Sequence, residues 1–260
     1  MPELPEVSYF KKYVDSTALH KKIAKIEFPE KKILQDSPQA ISRALKDAEF
    51  KSTRRIGKYL VFETDQDKVL VFHFGMTGKF EYSHEAEPPD HSRLIIHFKD
   101  NSKLFFVCPR KFGKVYLANG FEDFKKEHKL GTDAMDLKKK EFMELLDGKK
   151  GSIKSALMDQ HIIAGIGNLY SDEVLFQSKI HPKSSIAKLS EEEKGEIYKN
   201  IGKVLERVTK TRMEGSKLPD SYLTRHREEG EDCPSCDGKI KLTKVSGRST
   251  YYCSGCQKEK

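Results

Sequence analysis

The first seven residues, MPELPEV, place a secondary amine beside carboxyl side chains. Removal of Met1 would give Pro2 a free α-amine with a pKa near 8, well below the value of about 10.4 for lysine, so this amine is more readily a nucleophile. Glu3 follows directly and could exchange protons with groups beside the amine. The same stretch also fits an ordinary helix start, because a proline is well tolerated in the first turn of a helix. The residues alone leave both interpretations open.

Four of the five cysteines form two CxxC pairs that are separated by sixteen residues: Cys233, Cys236, Cys253 and Cys256. Two pairs at this spacing can arrange four thiolates tetrahedrally around one zinc ion. Two disulfides are the alternative, but no secretion signal is present, and thiols inside cells stay reduced. We therefore predict one structural zinc ion, since four thiolates leave no coordination position for water. Cys108 is left over and is interpreted as a small core residue.

Three glycine-containing stretches could contact a nucleic acid. In HIIAGIGNLY, flexible glycines precede Asn168 at a helix N-cap position, which is a ready anion site, although a structural helix hairpin would use the same residues. FGMTGKF presents Met76, and CPRKFGK presents Arg110 and Phe112, side chains that could fill the gap left by an extruded base. Ordinary hairpin packing is the alternative for each of the last two stretches.

Two further basic residues are candidates for binding phosphate. Lys58, in TRRIGKYL, precedes an apolar strand and is either a phosphate clamp or a solvated strand end. Arg248, in GRSTYYC, lies in a predicted β-hairpin and either binds phosphate or covers the two following tyrosines.

These residues require an α+β scaffold. An amphipathic helix is predicted over residues 5–19, followed by short strands from Ile23 to Leu117, among which RLIIHF and KLFFVC form a hairpin. Several strands at this spacing indicate an antiparallel sandwich or barrel. Helical periodicity then extends from Phe121 to Met213, and the last thirty or so residues form the cysteine module, too small to fold without its metal.

Composition restricts the class of partner. The 260 residues contain 48 Lys and Arg against 40 Asp and Glu, a net charge of +8, which favours a polyanion such as a nucleic acid. No apolar run reaches the length of a membrane span, and the first twenty residues lack a signal-peptide core. The default expectation is a cytoplasmic protein, with a nuclear or organellar location as the alternative.

Taken together, MPELPEV, GKYL, GMTGKF, PRKFG, LMDQHIIAGIGNLYSDEVLF and YYCSGCQK resemble the formamidopyrimidine-DNA glycosylase and endonuclease VIII family, closer to its formamidopyrimidine branch. The resemblance covers nearly the whole chain. It implies two domains, an N-terminal antiparallel β-sandwich with flanking helices and a C-terminal helix–two-turn–helix domain that carries a β-hairpin zinc finger. On this basis we expect a catalytic domain at 1–127, a hinge at 128–136, the helical domain at 137–226 and the finger at 227–260.

The resemblance also implies an activity and the residues that perform it. The family members excise oxidised bases from double-stranded DNA and then cleave the strand by β- and δ-elimination. Carried over by position, Pro2 is the nucleophile and Glu3 the acid and base, with Glu6 nearby in a supporting role. Phosphate-binding residues are implied at Lys58, Asn168 and Arg248, of which Lys58 is grouped with the catalytic residues. Gap-filling, DNA-binding residues are implied at Met76, Arg110 and Phe112. We expect a monomer in a bacterial cytoplasm, associated with the nucleoid and not with a membrane.

Two departures from the family pattern qualify this expectation. The segment directly before Cys233, SYLTRHREEGED, is short, where the family has a longer segment near the loop that covers a flipped 8-oxoguanine. Cys108 replaces a common Asp, and Lys111 replaces an Arg. The shortened segment leaves open an alternative function, a protein that binds damaged or abasic DNA with lyase activity only or without base excision. A zinc-dependent transcription or ribosomal factor would leave MPELPEV unexplained.

Overall fold

The protein has the expected α+β fold. The computed structural model describes residues 1–85 and 87–260, and these residues form two compact units, Met1–Lys129 and Leu130–Lys260. Among the described residues, no helix combines the length and apolar character that crossing a membrane requires.

The bounds of the elements follow in chain order. The α-helices of the described residues are α1 (Leu4–Thr17), α2 (Pro38–Leu45), α3 (Phe121–Glu127), α4 (Lys139–Leu146), α5 (Ile153–Met158), α6 (Asn168–Gln177) and α7 (Glu191–Glu214). The strands of these residues are β1 (Ile23–Glu27), β2 (Phe50–Ile56), β3 (Tyr59–Thr64), β4 (Val69–His73), β5 (Lys79–Ser83), β6 (Ser92–Phe98), β7 (Lys103–Val107), β8 (Lys114–Ala118), β9 (Thr132–Asp133), β10 (Ile163–Ala164), β11 (Ile240–Val245) and β12 (Arg248–Cys253).

The first unit is an antiparallel β-sandwich, which confirms the prediction. One sheet has the strand order β1-β6-β7-β5 and the other β2-β3-β4-β8. The rings of Phe62 and Phe72 from the second sheet meet those of Phe80 and Phe106 from the first, with centroids 4.9 to 5.5 Å apart. Aromatic contacts of this kind stabilise the core beyond the area that they bury.

Two elements of this unit were not identified from the sequence, which was interpreted as short strands over residues 23–117. Helix α2 begins after Ser37, whose hydroxyl accepts the backbone N–H of Ala40, and it buries Ile41 and Leu45. Strand β2 (FKSTRRI) is mostly polar, so it lacks a clear apolar alternation, and its pairing with β3 defines it instead. Residues 50–56 therefore form a strand of the sandwich although their composition does not predict one.

The second unit is mainly helical. Helix α7 lies within the predicted helical region and buries its apolar face, and Ser190 and Glu193 form a capping box at its start. The connection predicted at 128–136 contains β9, which pairs in parallel with β10. Strands β11 and β12 form the hairpin of the cysteine module. After this hairpin the Gln257 side chain donates to the carbonyl of Ile180, which fastens the chain end to the helical part.

Candidate active site and nucleic-acid-binding groups

The start of α1 fixes the carboxyl group beside the N-terminal amine. Glu3 is the N-cap, and its carboxylate accepts the backbone N–H of Glu6, while the Glu6 carboxylate accepts the backbone N–H of Glu3 at 3.0 Å. Glu3 is 1% exposed, and Leu4 and Val7 anchor the first turn in the core. Pro2 is only partly buried. Once Met1 is removed, the Pro2 amine would lie next to a carboxylate that is held at a helix N-terminus, where negative charge is stabilised.

Lys58 lies in the tight turn between β2 and β3 and is 7% exposed, so its interpretation as a solvated strand end is wrong. The nearby His73, which the sequence analysis did not identify, ends β4. Burial, with the positive charges of Lys58 and Lys114, lowers the pKa of His73 to about 4. Its Nδ1 accepts the backbone N–H of Gly75 at 3.2 Å, so the neutral ring carries its proton on Nε2. The sequence did contain a signal for this residue, because His73 is a polar side chain near the end of the apolar run KVLVFHF.

The two candidate gap-filling loops pack directly against each other. Gly75 adopts φ +58°, and a Cβ placed on it would lie 2.3 Å from the carbonyl carbon of Phe112. Only glycine allows the two backbones to approach this closely. Met76 and Phe112 are 40% and 56% exposed, so both apolar side chains are available at the surface. The fold therefore brings two loops with exposed apolar side chains into one surface.

The second of these loops also positions a guanidinium group. The Arg110 guanidinium carbon lies 5.3 Å from the centroid of the Phe112 ring, within the range of a cation–π contact. The backbone N–H of Arg110 donates to the Thr77 hydroxyl of the first loop at 3.4 Å. The predicted loop residues Met76, Arg110 and Phe112 therefore come from neighbouring, mutually bonded loops.

Cys108 is fully buried beneath this loop, as its interpretation as a core residue predicted. It also has a specific polar role, because its Sγ accepts the backbone N–H of Gly113 at 3.4 Å. Its carbonyl accepts from Arg93 Nε at 3.1 Å and from the backbone N–H of Lys111 at 3.2 Å. The thiol thus closes the turn that carries Arg110 and Phe112.

In the second unit, the predicted N-cap role of Asn168 is wrong by one residue. Gly167 is the N-cap, and Asn168 is the first residue of α6. The Asn168 side chain instead accepts from Lys154 Nζ at 2.8 Å and donates to the carbonyl of Ser249 at 2.9 Å. It is therefore tied to β12, where Arg248, the neighbour of Ser249, is exposed. Two predicted phosphate-binding residues lie close to each other for this reason.

The short segment before the cysteines is anchored by a buried carboxylate. Glu173, on α6, accepts the backbone N–H groups of Leu223 and Thr224 and the Thr224 hydroxyl, at 2.6 to 3.2 Å. Burial raises the pKa of Glu173, and these hydrogen bonds lower it in part. The sequence analysis did not identify this role. The signal was a pair of acidic residues, SDEV, within an otherwise apolar helix.

The four cysteines of the hairpin module fit a zinc ion. Their Sγ atoms all lie within 4.8 Å of one another, with Cys233 and Cys256 3.9 Å apart and Cys236 and Cys253 3.4 Å apart. Tetrahedral zinc with Zn–S bonds of about 2.3 Å requires sulfur separations of about 3.8 Å.

Backbone groups support the thiolates. The N–H groups of Ser235, Gly238 and Gly255 donate to the sulfurs at 3.2 to 3.4 Å. A Cβ on Gly238 or Gly255 would lie 2.9 Å from a cysteine sulfur, so the site needs glycine at both positions. The module holds one structural zinc ion, which supplies the folding energy that so short a segment lacks.

Family models match most of the chain in three parts. The formamidopyrimidine-DNA glycosylase N-terminal domain matches residues 1–115, the H2TH domain of the same enzymes matches 130–220, and a zinc finger found in FPG and IleRS matches 230–258. A formamidopyrimidine-DNA glycosylase of Mycoplasma mobile is 36% identical, and the alignment covers 99% of both chains. One of Lactobacillus gasseri is 32% identical, again with 99% coverage of both.

Two solved structures of similar fold are complexes with DNA. The formamidopyrimidine-DNA glycosylase of Lactococcus lactis, bound non-covalently to DNA with an AP site, superposes with a TM-score of 0.90 at 29% identity, covering 99% of this chain and 100% of that one. MutM in complex with DNA containing carbocyclic 8-oxo-G gives the same TM-score, identity and coverage.

Proposed function

Because the chain belongs to the formamidopyrimidine-DNA glycosylase family, we propose that it is a bifunctional DNA glycosylase and AP lyase of base excision repair. The observation that carries this proposal is the start of α1. There the partly exposed Pro2 is followed by Glu3, which is buried and forms two hydrogen bonds with Glu6. The comparisons do not favour the alternative of a binding protein without turnover.

The chemistry follows from these two residues. With Met1 removed, the Pro2 nitrogen attacks C1′ of the damaged nucleotide, and the base leaves with the electrons of the glycosidic bond. Glu3 protonates O4′, so the sugar ring opens and an iminium forms between Pro2 and C1′. The iminium acidifies the C2′ proton, whose removal expels the 3′ phosphate. A second elimination expels the 5′ phosphate, and water then hydrolyses the iminium, which releases the sugar remnant as an aldehyde and frees the Pro2 amine.

The remaining candidates are proposed to bind and distort the duplex. Lys58, Asn168 and Arg248 would bind phosphates, and the exposed Met76, Arg110 and Phe112 would occupy the gap left by the extruded nucleotide. Glu6, whose carboxylate bonds the backbone of Glu3, supports the helix start.

We further propose the domain limits 1–127, 128–136, 137–226 and 227–260, with the first as catalytic domain and the second as hinge. The protein binds DNA, as the family does. We propose that it does so as a monomer in the bacterial cytoplasm, at the nucleoid and away from membranes.

Borohydride trapping tests the mechanism. The protein with Met1 removed should form a covalent adduct with abasic and oxidised-base duplexes, because borohydride reduces the iminium to a stable amine. Pro2→Gly should give far less adduct, and Glu3→Gln should slow base excision while the structural zinc is retained. If the processed protein gives no adduct, or if Pro2→Gly traps equally well, the mechanism is wrong.

The short segment before the finger suggests a lesion preference. Residues 221–229 lie between the matches to the H2TH and zinc-finger models, and the alignment with the Mycoplasma mobile relative extends over 277 residues against 260 in this chain. We propose that the shortened segment shifts preference from 8-oxoguanine toward formamidopyrimidines, oxidised pyrimidines or abasic sites. Excision rates on a lesion panel test this, and a dominant rate on 8-oxoguanine paired with cytosine would refute it.

A further inference from the structure

A buried ionic cluster in the second unit connects α5, α6, β12 and the short segment before the finger. Asp172 is 1% exposed, and its polar contacts among the described residues are all with donors. Lys154 Nζ lies 2.5 Å from Oδ1, while Arg227 Nη1 and the backbone N–H of Tyr251 lie 2.7 and 3.1 Å from Oδ2. The Arg227 guanidinium also lies over the Tyr251 ring, 4.6 Å from its centroid.

The same lysine reaches the residue that is proposed to bind phosphate. Lys154 Nζ donates to Asn168 Oδ1 and, at 2.6 Å, to the Thr250 hydroxyl on β12. Since Asn168 in turn donates to the Ser249 carbonyl, the orientation of its amide is set by partners on both sides. A buried lysine is retained in this position only if a carboxylate compensates its charge, and Asp172 is that carboxylate.

We propose that Asp172 is a positioning residue for DNA binding, an inference that rests on the proposed function. It holds Asn168 and the Arg248 end of β12 in one arrangement, so that both contact the phosphate backbone together. Arg227 completes this device. Arg227 belongs to the shortened segment, so this segment helps to orient the finger. The position of β12 against α6 then depends on the ionic cluster as well as on zinc ligation.

The substitution Asp172→Asn tests this with little change in shape. Because all of the Asp172 contacts are donors, an amide must turn its NH2 toward at least one of them. Glu173→Gln is the matched control, since Glu173 is the adjacent buried carboxylate, its contacts are also all donors, and they anchor the 223–224 turn and not Asn168 or β12.

We expect Asp172→Asn to weaken binding to undamaged and abasic duplexes about tenfold, and to lower the slope of log Kd against log salt by about one phosphate contact. Glu173→Gln should lose stability and keep the wild-type slope. Adding Asp172→Asn to Asn168→Ala should weaken binding little further, because the two act through one contact. Arg227→Met is the second variant, for use if Asp172→Asn does not fold. It removes a more exposed partner of Asp172, so we expect a smaller loss of affinity and of salt slope.

The proposal is overturned if Asp172→Asn or, should that variant not fold, Arg227→Met keeps the wild-type salt slope. It is also overturned if Glu173→Gln lowers the slope equally, or if Asp172→Asn releases zinc, measured by metal content. Failure of the proposed function gives a different result, since the wild-type protein would then form no borohydride adduct while these binding comparisons could still be made.

Discussion

Replacement of Gly75 by alanine should separate the two loops that carry the gap-filling side chains. Two costs add at this position. At φ +58° a Cβ costs about 1 to 2 kcal/mol relative to glycine. The same Cβ would lie 2.3 Å from the Phe112 carbonyl carbon, a contact that only a backbone shift relieves, and overpacking of this kind costs about 1 to 3 kcal/mol. We therefore expect Gly75→Ala to lower the free energy of unfolding by about 2 to 5 kcal/mol.

Gly148→Ala separates the two costs. Gly148 has nearly the same φ, +62°, but among the described residues its added Cβ would meet nothing within 4 Å. It should therefore show only the conformational cost. Chemical denaturation measures the free energy of unfolding of both variants. Single-turnover excision rates and borohydride trapping show whether the displaced loops still support extrusion of the base.

The expected result is a large loss of excision rate for Gly75→Ala, with trapping on a pre-formed abasic site less affected, because an abasic nucleotide has no base to extrude. If Gly75→Ala and Gly148→Ala have the same free energy of unfolding and the same excision rate, the close approach of the two loops does not determine their function.

Three other perturbations have definite expected outcomes. An uncleaved Met1 or an N-terminal tag should abolish the borohydride adduct but spare DNA binding, measured by gel shift, because only the Pro2 amine is blocked. Removal of zinc with a chelator should expose residues 230–258 to proteolysis and weaken DNA binding, and an unchanged digest after measured metal loss would contradict this. His73 remains neutral in the folded protein down to a pKa of about 4, whereas the unfolded chain takes up the proton near 6.5. Stability should therefore fall as the pH falls from about 7 to about 4, by up to about 3 kcal/mol from this residue. His73→Gln should flatten the denaturation profile over that range, and equal pH slopes for both proteins would refute the assignment.

Much of the fold could be predicted because its signals are local. The strands β3 to β8 follow runs of apolar and β-branched residues, and α7 follows a helical apolar period, so each can be identified without its neighbours. Helix α2 also has local signals, a Ser37 N-cap, Pro38 in the first turn and Ile41 and Leu45 four residues apart, and the assignment of strands to this region overlooked them. Strand β2 could not be identified from the apolar pattern. FKSTRRI is a strand because β3 offers it a pairing partner, and tertiary pairing of this kind overrides local preference.

The candidate site divides in a similar way. The spacing of the four cysteines specifies zinc binding by itself, since paired thiols need only short-range geometry. MPELPEV by itself left a helix start and a reactive amine both open, and only the family resemblance favoured a nucleophile at Pro2. The burial of Lys58, the depressed pKa of His73, the Gly113 contact of Cys108 and the cluster around Asp172 depend on residues up to 96 positions apart, as for Lys154 and Thr250. Desolvation and hydrogen bonding act through space, so only the tertiary structure could decide them.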